Sequence, residues 1–236
     1  GLWHANAWQG RGAVPVSEPE ALRTVLADTA PSWVGVSCVA GDEIRTRLTA
    51  LFDEAGVDVF WLKPAATGHG IINRYDCPET LGADRYAALI ACGRSGHAPC
   101  VVVSAGTAVT VDALAGDGEF LGGMILPGAS LMRNALGKGT AEVTALSGIR
   151  QSFPRSTGSA VETGIWTAIS AAVAAMHARL TGQSGQPVTA VITGGDAEIL
   201  AGSLSEFALP GTVKINEYLV LEGLLWVARD LGVPVA

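Results

Sequence analysis

Residues 101–110 read V-V-V-S-A-G-T-A-V-T. The opening run of β-branched apolar residues suits a strand buried on both faces. Gly106-Thr107 interrupts it, and an apolar strand pattern resumes from Ala108 to Leu114. A glycine at such a turn lets backbone N–H groups approach an anion closely, and the Thr107 hydroxyl adds a donor. An ordinary hairpin turn is the alternative these residues leave open.

Moving outward, Phe120 to Leu126 reads as a further strand, joined to the previous one through Gly116-Asp117-Gly118, a hairpin signal. It belongs to the stretch L-G-G-M-I-L-P-G at 121–128, whose paired glycines admit another backbone or a ligand close by. Val188 to Thr193 is expected as a strand that ends in Gly194-Gly195, within I-T-G-G-D-A-E at 192–198, with a helix beginning at about Asp196. An open backbone at a helix start suits a phosphate or a nucleoside. A plain strand-to-helix turn is the alternative.

Between these strands lies the longest expected helix, Gly158 to Leu180. Val161, Ile165, Ile169, Ala172, Val173 and Met176 recur on it at helical spacing, which marks core or subunit interface. Upstream, Ser17 and Glu20 read as a capping box with Pro19 in the first turn, followed by an apolar stripe of Leu22, Val25 and Leu26. Trp33 to Val39 and Val57 to Leu62 read as strands on either side of a helix carrying Ile44, Leu48, Leu51 and Phe52. Lys63 to Pro78 reads as a long loop, Ala83 to Cys92 as a short helix and Glu217 to Leu231 as the final helix. Strands alternating with helices, plus a hairpin, predict an α/β fold with a mixed sheet.

At the start of the helix after the long loop stands L-G-A-D-R, residues 81–85. Asp84 there could take a proton from a substrate hydroxyl, and Arg85 could bind an anion or orient the carboxylate. The alternative is an aspartate that only complements the helix dipole. Familiar nucleotide motifs are missing. Gly137-Lys138-Gly139-Thr140 mimics part of a P-loop, but Gly139 intervenes between lysine and hydroxyl; no G-x-G-x-x-G follows a strand, and there is no G-x-S-x-G elbow. Any nucleotide must therefore be held by several separate turns.

Composition narrows the class. The 236 residues are 49% apolar and 16% charged, which excludes intrinsic disorder. A net charge of −7 argues against a nucleic-acid partner, because phosphate neutralisation needs a basic face. The mean hydropathy is +0.36. The most apolar stretch, Ala168 to Ala175, is well short of the ~20 residues a spanning helix needs, so no membrane partner is expected. Cys38, Cys77, Cys92 and Cys100 form no C-x-x-C pair and share no metal-ligand spacing with His4, His69, His97 or His177. They read as buried thiols of a cytoplasmic protein, with no protein metal site expected.

Taken in order, these segments resemble the type III pantothenate kinase family, which includes Bvg accessory factor-like proteins. The resemblance rests on N-R-Y at 73–75, L-G-A-D-R at 81–85, A-G-T-A-V-T-V-D at 105–112, G-G-M-I-L-P-G at 122–128, Thr157 before A-V-E-T-G, and T-G-G-D-A-E at 193–198. It implies the two-lobed actin-like ATPase and sugar kinase fold, with mixed sheets flanked by helices. One lobe would span 1–95 and be completed by a C-terminal helix at 216–236; the other would span 96–215. It also implies transfer of the ATP γ-phosphoryl group to the 4′-hydroxyl of pantothenate, the first step of coenzyme A synthesis.

By motif match, Asp84 would be the general base. Tyr75 and the segment Gly82, Ala83, Asp84 and Arg85 would bind pantothenate, with Thr157 contributed across a homodimer. Gly106 and Thr107 would meet the ATP phosphates, and Gly194 and Gly195 would lie near the adenosine. Magnesium would arrive with ATP. The family pattern also begins with D-x-G-N-[ST]-x-x-K. Gly1-Leu2-Trp3 resembles the strand that follows it, so a preceding hairpin half of about 15 residues is expected beyond this sequence. Many members carry Asp where this chain has Ser104, and that Asp binds a monovalent cation. A weaker potassium or ammonium requirement follows. A non-catalytic accessory protein and a phosphatase-like hydrolase are alternatives on the same fold.

Overall fold

The computed structural model describes residues 1–139, 148–207, 209 and 211–233. Thr140 of the P-loop-like stretch, parts of the expected 96–215 lobe and residues 234–236 of the expected closing segment lie outside the described residues.

The chain divides into two compact units, 1–69 with 75–91 and 219–236, and 70–74 with 92–218. The first opens on a hairpin of β1 (Leu2–His4) and β2 (Ala7–Gly10). A 3₁₀ turn at Pro19–Ala21 leads into α1 (Leu22–Thr29). Then follow β3 (Trp33–Val36), α2 (Asp42–Ala55), β4 (Asp58–Trp61) and the two-residue β5 (Thr67–Gly68). β3 and β4 pair in parallel, with α2 as the crossover that parallel strands need. Trp33 stacks on Phe60 at 6.2 Å between centroids, and Arg45 of α2 lies 4.8 Å over the Trp61 ring.

The expected capping box does not form. No side chain caps the turn at Pro19, and the Glu20 carboxylate instead takes two hydrogen bonds from Arg47 of α2, at 2.9 and 2.6 Å. A long-range bidentate partner outcompetes the local N–H group, because a charge-assisted pair is the stronger bond. Val25, expected on the apolar stripe, is exposed.

The predicted loop 63–78 also contains secondary structure: β5 and then β6 (Ile71–Asn73). A 3₁₀ turn at Pro78–Thr80 precedes α3 (Ala83–Arg94). Beyond it, β7 (Cys100–Ala105), β8 (Ala108–Leu114) and β9 (Glu119–Pro127) form an antiparallel meander. α4 (Ala129–Gly139) follows directly, so Gly137-Lys138 belongs to a last helical turn rather than a phosphate loop. α5 (Thr157–Ser184), β10 (Thr189–Thr193), α6 (Ala197–Leu204), β11 (Val213–Ile215) and α7 (Leu219–Asp230) complete the chain.

Within the second unit the sheet runs β11-β10-β7-β8-β9-β6. β10 is parallel to both β11 and β7, and β6 is parallel to β9, so the sheet is mixed. Val101, Val103, Val109 and Val111 of the central strands pack with Ile165, Ile169, Val173, Met176 and Leu180 of α5 and Leu200 and Leu204 of α6. α5 is long and apolar enough to cross a bilayer by length and composition, yet ten of its residues are buried inside the protein. His177 on its buried face donates from Nε2 to the Val188 carbonyl at 2.9 Å, which occupies a ring nitrogen in holding β10 to the helix. The thiols divide: Cys92 and Cys100 are buried as expected, whereas Cys77 is exposed and Cys38 half-buried.

Candidate active site

The expected site residues divide between the two units. In the second unit, the opening turn lies where β7 meets β8. The Gly106 N–H donates to Ala108 O at 3.1 Å, and the Gly128 N–H donates to Thr107 O at 2.9 Å. Gly128 allows this approach because a Cβ there would sit 2.0 Å from Gly106 O. The end of β9 is thereby clamped against the turn, and Thr107 is left exposed.

β10 lies beside β7 in register, with Thr193 opposite Ser104. Parallel strands end together, so the Gly194-Gly195 turn arrives next to the Gly106-Thr107 turn. The contact is intimate. Gly194 has φ +100°, and a Cβ on it would stand 2.3 Å from Ala105 O, which accepts the Asp196 N–H at 3.1 Å. Gly195 faces open space, with nothing within 4 Å of where its Cβ would be. The two backbone turns stand beside the exposed Thr107 hydroxyl, with the Gly106, Gly128 and Asp196 N–H groups already taken by protein carbonyls, so Thr107 Oγ1 and the open side of Gly195 are what the turns offer a ligand. Among the described residues no cluster of three His, Cys, Asp or Glu side chains is placed to hold a metal ion.

In the first unit, α3 begins at Ala83 and places Asp84 in its first turn. The Asp84 Oδ1 accepts the Arg85 backbone N–H at 2.8 Å, a local bond at a helix start. Gly82 gives that carboxylate room, since a Cβ there would lie 2.6 Å from Oδ1. The side chain of Asp84 stays half-buried, reachable from solvent. Arg85 is buried at 6% exposure, and its Nη2 donates to the Tyr75 hydroxyl at 3.0 Å. Its guanidinium carbon also lies 5.6 Å from the Tyr75 ring centroid. Next along α3, Tyr86 is fully buried and donates to Gly68 O at 3.0 Å; burial pushes its phenol pKa up. The structure thus brings Tyr75, Asp84 and Arg85 into one neighbourhood.

Thr157 is the first residue of α5 and is exposed, with Ser156 as N-cap accepting the Ser159 N–H at 3.3 Å. Gly128 was the residue that sequence reasoning passed over at the turn. It stands at the end of a quoted motif, and the Pro127-Gly128 pair that closes a strand was its signal. Asp112, buried in mid-sheet at 1% exposure, carried no signal of its burial in the alternation of β8.

Comparison with known proteins bears on this arrangement. The sequence profile described as Type III pantothenate kinase matches residues 17–179. A protein named type III pantothenate kinase from Thiobacillus denitrificans is 41% identical over 227 residues, covering 96% of this chain and 90% of the relative. One of the same name from Laribacter hongkongensis is 38% identical over 230 residues, covering 94% and 93%. Among solved structures, one described as a conserved Baf family transcriptional activator from Campylobacter jejuni superposes with a TM-score of 0.55 at 21% identity, over 82% of this chain and 80% of that one. That likeness speaks for fold alone. The sequence matches cover nearly the whole chain and include every segment just described, and the described architecture is a mixed α/β one. The chain belongs to the type III pantothenate kinase family.

Proposed function

We propose that this chain transfers the γ-phosphoryl group of ATP to the 4′-hydroxyl of pantothenate, with Asp84 as general base. The observation that supports it is the Tyr75–Asp84–Arg85 neighbourhood on a chain of this family. An alkyl hydroxyl is a weak nucleophile until a carboxylate accepts its hydrogen bond. Asp84 takes the proton as oxygen bonds to the γ-phosphorus, and the bond from phosphorus to the bridging oxygen of ADP breaks. Arg85 and Tyr75 present a cation and a hydroxyl to pantothenate, whose carboxylate needs local positive charge on a chain of net charge −7. Gly82 and Ala83 line the same approach. Gly106, Thr107, Gly194 and Gly195 receive the nucleotide, and phosphoryl transfer then depends on in-line placement and charge neutralisation. Magnesium would arrive with ATP, keep several waters and offset charge on the phosphates.

Replacing Asp84 with Asn tests the reading. Pantothenate-dependent ADP release is expected to fall at least about a hundredfold, the scale of lost general-base assistance, while pantothenate still binds. Retention of more than a tenth of the wild-type rate would remove Asp84 from this role. ADP release by the wild type that ignores pantothenate would favour the hydrolase alternative, and no ADP release the non-catalytic accessory one.

We further infer a cytoplasmic homodimer in which Thr157 reaches the pantothenate pocket of the partner. Ile125, Leu131, Leu136, Ile149 and Phe153 are all exposed on the second unit, an apolar set that a second copy would cover. A monomer by light scattering at micromolar concentration would count against it.

A further inference from the structure

Around the point where a Cβ on Gly82 would stand, three side chains of the first unit gather. Asp84 Oδ1 lies 2.6 Å from that point, Val39 Cγ1 3.7 Å and Arg85 Cδ 3.8 Å. Asp84 and Arg85 already have roles, and Val39 has none. Val39 stands in the loop between β3, which ends at Val36, and α2, which begins at Asp42. The Leu62 N–H donates to Val36 O at 2.8 Å, so the loop leaves from a strand end that is tied down. At 60% exposure Val39 contributes little to the core. A single exposed valine is ordinary on a protein surface. The position of this one is not, because its methyl and the carboxylate of the proposed base flank the same small space. Loops carried on a rigid scaffold are where binding side chains concentrate.

The chemistry of the acceptor indicates what that methyl meets. Asp84 Oδ1 accepts the Arg85 backbone N–H at 2.8 Å, which leaves Oδ2 for a substrate hydroxyl. In pantothenate the carbon next to the reacting hydroxymethyl group carries two methyl groups. A hydroxyl held by Asp84 therefore brings a branched apolar carbon close beside the carboxylate, on ground that Val39 borders. Contact between the methyl groups removes apolar surface of both partners from water. An unbranched alcohol would still offer its hydroxyl to Asp84 but would leave Val39 wet.

Taking Asp84 as the base and pantothenate as the acceptor, as above, we propose that Val39 is a specificity-determining residue. It packs on the two methyl groups beside the reacting hydroxymethyl and selects a branched primary alcohol over an unbranched one. Steady-state kinetics on the full chain, with pantothenate and with its analogue lacking the two methyl groups, tests this. The wild type is expected to favour pantothenate in kcat/KM by at least about tenfold, the scale of a small apolar contact. Val39→Ala is expected to bring that preference below about threefold, seen chiefly as a higher KM for pantothenate, because the contact is made alike before and during transfer. As a truncation at an exposed position it is expected to melt within about 2 °C of the wild type. The analogue serves as the internal reference, since a disturbed Asp84 would slow both compounds alike. An equal loss on both compounds in Val39→Ala, or a wild type that uses both equally well, would overturn the role of Val39 and leave the kinase reading standing. A wild type that phosphorylates neither compound would overturn the kinase reading, and this role with it.

Discussion

The Tyr75 hydroxyl accepts a hydrogen bond from Nη2 of Arg85 at 3.0 Å, across ten residues that include a 3₁₀ turn and the start of α3. The guanidinium is buried, and this bond and the ring it approaches at 5.6 Å help to fix its position. A buried charge tied to a phenol is preorganised for an anion, because little side-chain entropy remains to be lost on binding.

Two substitutions separate the parts of this pair. Tyr75→Phe keeps the ring and removes the hydroxyl; it is expected to raise the KM for pantothenate about three- to tenfold, the loss of roughly one hydrogen bond. Arg85→Gln removes the charge and is expected to raise it at least about tenfold further, since charged hydrogen bonds are stronger. Both should leave the KM for ATP unchanged. Steady-state kinetics with each substrate varied in turn checks this. An equal rise for ATP and pantothenate would mean the pair supports the fold rather than the acceptor.

The glycine turn after β10 separates structural need from ligand need. Gly194 combines φ +100° with a Cβ position 2.3 Å from Ala105 O, so Gly194→Ala is expected to destabilise the protein by about 1–3 kcal/mol through backbone strain alone. Gly195 has open space around its Cβ position. Gly195→Ala should therefore melt within about 1 °C of the wild type while raising the KM for ATP several-fold, because the added methyl meets only the nucleotide. Thermal melts paired with ATP titrations decide it. Unchanged ATP affinity in Gly195→Ala would take the nucleotide away from this turn.

These turns were legible in sequence because their signal is local: a β-branched run stopped by glycine states its own geometry. α4 was not. Gly137 and Gly139 break its pattern, and Leu131 and Leu136 are exposed, so no buried stripe repeats at helical spacing. β11 was missed for a similar reason. It has three residues, all exposed, and it exists only because β10 offers an edge. Glu20 shows the converse. Its spacing from Ser17 matched a capping box, and only Arg47, distant in sequence, draws it elsewhere. Of the site, the acidic residue at the head of α3 could be picked out locally. The reach of Arg85 back to Tyr75 is a tertiary relation that periodicity does not encode.

The pair of Arg133 and Glu162 predicts a pH dependence. Arg133 Nε and Nη2 donate to the two carboxylate oxygens at 2.5 and 3.0 Å. That hydrogen bonding, and the nearby positive charges of Arg133 and Arg150, hold the Glu162 carboxyl below its ordinary value. A lowered folded-state pKa means the stabilisation is complete above the unfolded value of about 4.3 and is lost as pH falls through the folded value. Arg133 is 41% exposed in its side chain, so the contribution is held to about 1 kcal/mol or less. Glu162→Gln is expected to melt a few degrees below the wild type at pH 7, and the gap should close below about pH 4. A gap that persists unchanged to pH 3 would show that the ion pair is not its source.

Ser104 makes the last expectation. It lies on β7 between Thr193 of β10 and Thr110 of β8, so its ladder neighbours are both neutral hydroxyl residues. A monovalent cation at this position would need to recover its lost hydration from oxygen ligands, and an uncharged hydroxyl recovers less of it than a carboxylate does. Turnover measured in sodium-free buffer is therefore expected to change less than about twofold on adding potassium or ammonium. Ser104→Asp restores the charge. It should bring a many-fold potassium activation, seen chiefly as a fall in the KM for ATP, if the residue stands next to the phosphates as the Gly106-Thr107 turn suggests. Strong potassium activation of the wild type would refute the role given to Ser104, and a Ser104→Asp variant that ignores potassium would place the cation site elsewhere.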